Sequence, residues 1–414
     1  MKKKEEIMED ENIDTTKEIV TIKKEGFSYP EMVIIMIIAI LFGFLIGNVV
    51  SFTKKETTNS SVPSELKEFV DTYNDIVNNY YDKVNKEELI DAGIKGMINY
   101  LDDPYATYFD GTSSTNFNQT LEGNYEGIGI EVTLDNSKVK ITKVFADTPA
   151  KKAGLKVGDY ITKVNGESVE GKSLSDVVSL IKNAKNKEVE ITITRDNQEK
   201  AMKVTRTTVD MPYTSSKVYE ENGKKIGYLK IEMFSNNITK QVKKELESLK
   251  KKNIDKLVID VRDNPGGYLT QVTEILSLFM TKKDVIYQLQ TKNNKEKVYG
   301  TSSKATYSYP VVVLINENSA SASEILASAF KETYNAEIVG VNSYGKGTVQ
   351  KTGDLNNGDT IKYTVQKWLT PKGKWINEKG VTPTKEVKLE LKENETLTED
   401  NDNQLKAAIE LASK

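Results

Sequence analysis

The stretch Val311-Val-Val-Leu-Ile-Asn-Glu-Asn-Ser-Ala-Ser-Ala-Ser-Glu-Ile325 decides the architecture. Its first five residues form an unbroken apolar run rich in β-branched side chains, the mark of a strand buried on both faces. The chain then turns at Asn316-Glu-Asn-Ser and opens a helix through Ala320-Ser-Ala-Ser-Glu-Ile. A serine at a strand-to-helix turn sits among unsatisfied helix N–H groups, at the positive end of the dipole. That place suits a nucleophile whose reaction builds negative charge on a neighbouring oxygen. Ser319, Ser321 and Ser323 fit equally well as N-caps and small packing residues.

Around this stretch, residues 208–390 alternate strand and helix, which predicts an α/β sheet layered with helices. Strands are expected at Ile226–Ile231, Leu257–Val261, Val311–Ile315 and Ile338–Val341, helices at Gln241–Lys250, Leu269–Met280 and Ser323–Tyr334. Two further turns follow expected strands. Tyr344-Gly-Lys-Gly-Thr-Val-Gln350 holds Lys346 between two glycines, which permit close backbone approach and an unusual φ. As a base Lys346 must be neutral. Pulling a lysine from about 10.4 to about 7 takes roughly 4–5 kcal/mol of selective destabilisation of the ammonium, which desolvation can supply. A surface lysine in a glycine-rich loop fits the same stretch. In Asp260-Val-Arg-Asp-Asn-Pro-Gly-Gly267, Gly266 or Gly267 can offer a backbone N–H to an oxyanion, with the N–H of Ala322 as second donor. A phosphate loop is the rival, but no Gly-x-x-x-x-Gly-Lys-Ser/Thr occurs.

Composition removes other chemistries. The 414 residues include no histidine and no cysteine. A Ser-His-Asp triad, a Cys-His pair and an imidazole or thiolate zinc site are therefore impossible, and lysine is the best base left for a serine. No metal and no cofactor is expected. With 58 basic and 61 acidic residues spread along the chain, no basic face points to nucleic acid. Absent cysteines fit a bacterial exported protein.

Met32 to Val50 reads MVIIMIIAILFGFLIGNVV. Nineteen such residues span roughly 28 Å as a helix, near the thickness of a bilayer's hydrocarbon core. The preceding 31 residues are long for a signal peptide, and no small-x-small site follows Val50. We read residues 32–50 as a transmembrane signal anchor and partner of the membrane. Residues 1–31 are then a disordered cytoplasmic tail, 51–62 a polar linker, and the catalytic body extracytoplasmic. Lys2–Lys4, Lys17, Lys23 and Lys24 before the span, against Lys54 and Lys55 after it, set this direction. Residues 63–119 form an N-terminal helical region by apolar spacing, and residues 391–414 a C-terminal helical tail with a helix over Asn403–Ser413.

Residues 120–207 are β-rich. Tyr125-Glu-Gly-Ile-Gly-Ile-Glu-Val132 turns into a strand after Gly127, Val139–Phe145 is a second, Leu174–Ile181 a short helix and Val189–Arg195 a closing strand. With Pro149-Ala-Lys-Lys-Ala-Gly-Leu-Lys-Val-Gly-Asp-Tyr-Ile-Thr-Lys-Val-Asn-Gly166 between them, this order resembles a PDZ domain of the bacterial protease type. Gly127, Ile128, Gly129 and Ile130 then match the loop that binds a peptide's terminal carboxylate. Glycine lets successive amides point into one anion nest, and a bound peptide adds a strand at the sheet edge. The alternative is that Gly127 and Gly129 mark a bulge.

Six motifs in order resemble the carboxyl-terminal processing peptidases, also called tail-specific proteases, over about residues 63–411. They are Asp103-Pro-Tyr-Ala-Thr-Tyr-Phe109, the Pro149–Gly166 run, Asp260–Gly267, Ser319-Ala-Ser-Ala-Ser-Glu324, Gly345-Lys-Gly-Thr-Val-Gln350 and Leu369-Thr-Pro-Lys-Gly373. The resemblance implies an α/β protease core at 208–390 with crotonase/ClpP-like layering and an inserted PDZ domain. It implies Ser321 as nucleophile, Lys346 as general base, Gln350 orienting the lysine, and an oxyanion hole from the Pro-Gly-Gly turn and Ala322. The expected activity is that of a serine endopeptidase on proteins recognised by their C-terminal ends. Because the family's PDZ domain often gates the site, Arg195, one of few arginines, is a candidate link; a plain surface charge is the alternative. The helices of 63–100 and the terminal helix offer a homodimer interface. Thr384 in Gly380-Val-Thr-Pro-Thr384 and the run Gln366-Lys-Trp368 depart from the family pattern. Neither departure is expected to touch the dyad, so both bear on packing or substrate path. Two rival functions are a catalytically silent PDZ adaptor and a crotonase-like acyl-CoA enzyme, the latter opposed by the anchor and PDZ run.

Overall fold

The computed structural model describes residues 63–392 and 395–414. The expected tail, membrane span 32–50 and linker 51–62 lie outside the described residues. Among the described residues, no helix is long and apolar enough to cross a membrane. The chain divides into two compact units, Met1–Leu89 and Ile90–Lys414. The division falls inside the helical region expected over 63–119. In the first unit, helix α1 (Lys67–Asn79) is amphipathic yet buries none of its residues. Helix α2 (Lys86–Tyr100) begins there and ends in the second unit.

The second unit continues with β1 (Thr107–Phe109) and α3 (Gly111–Glu122), whose N-cap Asp110 accepts from Ser113 N. The β-rich domain then runs β2 (Asn124–Gly127), β3 (Ile130–Asp135), β4 (Lys138–Val144), α4 (Pro149–Ala153), β5 (Tyr160–Val164), β6 (Glu167–Ser168), α5 (Leu174–Lys182), β7 (Glu188–Arg195), β8 (Gln198–Thr205) and β9 (Thr207–Asp210). Its sheet has the order β3-β4-β5-β7-β8, so β3 is an edge strand. Ile141, Leu155, Val177, Ile191 and Ile193 fill its core. The expected closing strand β7 is followed by one more, because Asp196 and Asn197 both take positive φ. That two-residue turn makes a hairpin without the glycine that would have announced it.

The core comprises β10 (Thr214–Glu221), β11 (Lys224–Ile231), α6 (Ile238–Lys251), β12 (Lys256–Asp260), α7 (Leu269–Leu276), β13 (Val285–Gln290), β14 (Lys295–Tyr299), β15 (Val311–Ile315), α8 (Ala322–Glu332), β16 (Glu337–Gly340), β17 (Thr348–Asp354), β18 (Thr360–Leu369), β19 (Lys385–Glu386) and α9 (Asn403–Ser413). The main sheet has the order β10-β11-β12-β15-β16-β19, parallel from β11 onward. Strand alternation explains its unbroken apolar runs. Val311, Val313 and Ile315 face a core shared with Val242, Leu246 and Ile325, whereas Val312 and Leu314 face Leu405, Ala408 and Ile409 of α9. Both faces are covered, as a parallel sheet requires. A second sheet, β1-β18-β13-β14 with β17 on β18, was not anticipated. Its strands carry lysines among their apolar residues and bury mainly one side, which weakens the sequence signal.

An ion cluster pins α9 to the sheet beside the turn after β12. Arg262, 7% exposed, pairs with Asp260 and Asp402 at 2.7 Å each and reaches Gln404 at 3.0 Å. Tyr228 completes Asp260 with a 2.8 Å hydrogen bond. Removing one partner of a buried charge cluster typically costs about 3–5 kcal/mol. Asp402→Ala should therefore lower the unfolding free energy in urea by about 3 kcal/mol; a loss below about 1 kcal/mol would show that the cluster does not hold α9.

Candidate active site

Three loops leave the carboxyl ends of β12, β15 and β16, where open α/β sheets build their sites. They bring Ser321, Lys346, Gly266 and Gly267 to one cavity of about 440 Å³, which Gln350 lines from β17. Ser321 takes φ 55°, ψ −111°, a conformation that a non-glycine residue holds only when its surroundings impose it. It stands at the N-terminus of α8, as a nucleophile on a strained strand-to-helix turn does. A Cβ on Gly266 would lie 2.9 Å from both Ala320 O and Ser321 Cβ and 3.1 Å from Ala322 N. On Gly267, at φ +143°, it would lie 2.2 Å from Phe234 O. Gly266 is thus what lets this turn lie against Ser321, and Gly267 what lets it pass the Phe234 backbone. The two glycines are not equivalent as donors: Gly266 N–H is spent on Asn264 Oδ1 at 2.9 Å.

Lys346 is positioned through its backbone. A Cβ on Gly345 would meet Lys379 N at 2.9 Å, and one on Gly347 would meet Trp375 Nε1 at 2.6 Å. Trp368 donates Nε1–H to Lys346 O at 2.7 Å, and Trp375 to Gly347 O at 2.9 Å. This corrects the expectation that the Gln366–Trp368 departure does not touch the dyad. Trp368 is wholly buried and holds the lysine's own carbonyl. Thr384 instead ties β19 to β16 through Ile338, accepting its N–H at 2.8 Å.

Glu324, quoted within the serine motif but given no role from sequence, joins the two loops. Its Oε2 accepts Ser321 N–H at 2.8 Å and Lys346 N–H at 2.9 Å; Oε1 accepts Gly345 N–H at 2.7 Å and Ser343 O–H at 2.6 Å. The signal was available, since Ser-x-x-Glu at a helix start is the capping-box spacing. Burial raises the Glu324 carboxyl and these four donors oppose that rise.

The Lys346 ammonium lies 4.7 Å from the centroid of the Tyr105 ring, in the loop before β1. Burial first, and the neighbouring Lys362 second, pull Lys346 down to about 8, against Asp103 and Glu324. Burial and Tyr344 push Tyr105 up to about 12, so the ring stays neutral. Tyr105 belongs to a motif that sequence reading recorded without a role, and Lys362 carried no sequence signal. Gln350 donates Nε2 to Thr348 Oγ1 at 2.9 Å and Thr364 Oγ1 at 3.1 Å. Among the described residues no direct Ser321–Lys346 hydrogen bond is formed, and no cluster of acidic residues could hold a metal.

The remaining expected residues lie in the β-rich domain. Gly127 and Ile128–Ile130 join β2 to edge strand β3, with Ile128 buried and Gly129 at φ +86°, packed against Thr148. A Cβ on Gly127 would strike the Tyr125 ring at 2.3 Å. Arg195 pairs with the buried Asp159 at 2.6 Å and donates to Gly154 O at 2.8 Å, both within the same domain.

Family models match three consecutive segments: an "Activating protease CtpB N-terminal domain" at residues 47–113, a PDZ domain at 140–195 and "Peptidase family S41" at 225–387. Carboxy-terminal processing protease CtpB of Bacillus subtilis is 41% identical over 318 residues, 76% of this chain and 66% of that protein. Carboxy-terminal processing protease CtpA of the same organism is 36% identical over 84% of this chain and 73% of its own length. The chain belongs to this family of carboxyl-terminal processing proteases. It is a PDZ-containing serine peptidase of family S41. A probable CtpA-like serine protease of Staphylococcus saprophyticus extends the likeness to 92% of the chain at 32% identity.

Within this S41 peptidase, Glu324→Gln keeps one acceptor oxygen where two now serve four donors. Each buried donor left unpaired costs about 1–3 kcal/mol. The variant should melt lower and lose at least about tenfold in kcat/KM. An unchanged melting temperature and rate would remove Glu324 from the site's framework.

Proposed function

We propose that this peptidase cleaves peptide bonds with a Ser321–Lys346 dyad, acting on proteins whose C-terminal ends its PDZ domain captures. The observation that carries the reading is one cavity lined by Ser321, a lysine drawn down to about 8 and the Gly266-Gly267 turn. Neutral Lys346 takes the proton from Ser321 Oγ as it attacks the carbonyl carbon. The oxyanion is received by the N–H of Gly267 and the N–H of Ala322. Gly266 was the other expected donor, but its N–H already serves Asn264. The Lys346 ammonium returns its proton to the leaving amine, and the acyl-enzyme is then hydrolysed by a water that Lys346 deprotonates. With its Nε2 held by Thr348 and Thr364, Gln350 has its Oε1 to offer the lysine as an orienting acceptor.

The PDZ reading rests on the edge position of β3 beside the Gly127–Ile130 loop, where an added peptide strand can pair and its carboxylate meet backbone N–H groups. Arg195, bonded across the domain to Asp159, remains the proposed link between peptide capture and the dyad. The apolar run 32–50 supports a membrane anchor with the protease body outside the cytoplasm, and the exposed apolar residues of α1 support a homodimer.

The first test is cleavage of an unstructured protein ending in an apolar residue by residues 56–414. Ser321→Ala and Lys346→Ala should abolish it, and amidating the substrate's C-terminus should weaken it. Retained cleavage in Lys346→Ala would end the dyad reading. Binding by all three proteins without cleavage by any would favour the silent adaptor. Because the neutral lysine is the active form, kcat/KM should climb as pH rises through a limb near 8. A rate flat from pH 6 to 9 would exclude Lys346 as the base.

A further inference from the structure

The cavity around Ser321 is lined by two lysines and by no aspartate or glutamate. Lys346 is the first. The second, Lys362, comes from β18, where it stands opposite Thr107 of β1 and Thr352 of β17. Thr348, Gln350 and Thr352 line the cavity from the adjacent β17, so Lys362 shares a wall with Gln350. Its ammonium is seated on two aromatic faces, 5.3 Å from the Phe109 centroid and 5.4 Å from that of Phe117. Those rings stack on each other at 4.5 Å and 13°. Such a seat favours the charged form, whereas burial draws Lys362 down and Asp103 opposes that fall.

We propose that Lys362 is a positioning residue for the base: its seated ammonium disfavours a second positive charge in the same cavity and so keeps Lys346 neutral. The inference rests on the reading of Lys346 as general base. An adjacent cation is one of the established ways to activate a lysine. The charged and titratable groups facing Lys346 are Lys362 from β18, Asp103 and Tyr105 from the loop before β1, Glu324 from α8, and Tyr344 from its own loop. Asp103 and Glu324 favour the ammonium, burial and Lys362 oppose it, and Asp103 acts on Lys362 as well. Lys362 is the one cation in this set besides the base itself, so its removal leaves burial alone to oppose the two carboxylates.

The test is the pH profile of kcat and kcat/KM for wild type, Lys362→Met and Lys362→Arg. Taking away a neighbouring positive charge favours protonated Lys346. The acidic limb in Lys362→Met should move up by about one pH unit, a tenfold loss of kcat/KM below the limb, while the plateau above it is largely retained. Lys362→Arg keeps the charge and should keep the limb in place. An unmoved limb in Lys362→Met, a change in KM alone at every pH, or an arginine variant that behaves like methionine would overturn the proposal. Should Lys362→Met fail to fold, Lys362→Gln is to be read in its place. Lys346→Ala separates the two readings: if it retains activity the base assignment fails, whereas a dead Lys346→Ala beside an unmoved limb overturns Lys362 alone.

Discussion

The site depends on one buried carboxylate. Glu324 lies in the first turn of α8, and its two oxygens take one donor from the turn that opens that helix and three from the loop after β16. Two of those donors are the backbone N–H groups of Ser321 and Lys346. The proposed nucleophile and base are therefore referenced to a single group rather than to each other. An uncompensated carboxylate in such a place would be far too costly to bury, so the four hydrogen bonds are a condition for the loops closing as they do. Ser321 keeps an unfavourable backbone conformation with its N–H held by Glu324 on one side and Gly266 packed close on the other.

The sheet supplies the rigidity this arrangement needs. Strands β12, β15 and β16 are apolar on both faces, and each ends at a loop of the site. The helices α6 to α8 cover one face and α9 the other, so none of the three strands can slip without exposing side chains. The Arg262 cluster ties the cover of the second face to the residue just before the Asp263–Gly267 turn. Packing on the far side of the sheet and geometry at the turn are thus linked through a few Å of charged contacts.

Lysine chemistry at neutral pH needs an environment hostile to the ammonium, and this cavity supplies two sources of hostility. Burial is the larger, and the Lys362 charge adds to it; Asp103 and Glu324 oppose both. The Tyr105 face receives the ammonium at 4.7 Å, giving the protonated form a resting place close to its own loop. The balance draws Lys346 down to about 8, which suits the proposed role of taking and returning a proton.

Much of this was legible in the sequence. Unbroken apolar runs ending in serine- or glycine-rich turns gave the parallel strands of the core. The Pro149–Gly166 run marked the PDZ unit, the lack of histidine and cysteine left lysine as the best base for a serine, and the resemblance to the processing peptidases implied Ser321 and Lys346. These features are local, because strand burial, turn chemistry and residue type are each written within a few neighbouring positions. What only the tertiary structure decided are contacts between segments far apart in the chain. Tyr105 reaches the lysine from the loop before β1 and Lys362 acts on it from β18, Trp368 holds its carbonyl from 22 residues away, and Asn264 takes one of two equivalent-looking glycine donors. No periodicity records such meetings. They arise when the layers close, and burial then sets the protonation of a lysine whose sequence looks like that of many others.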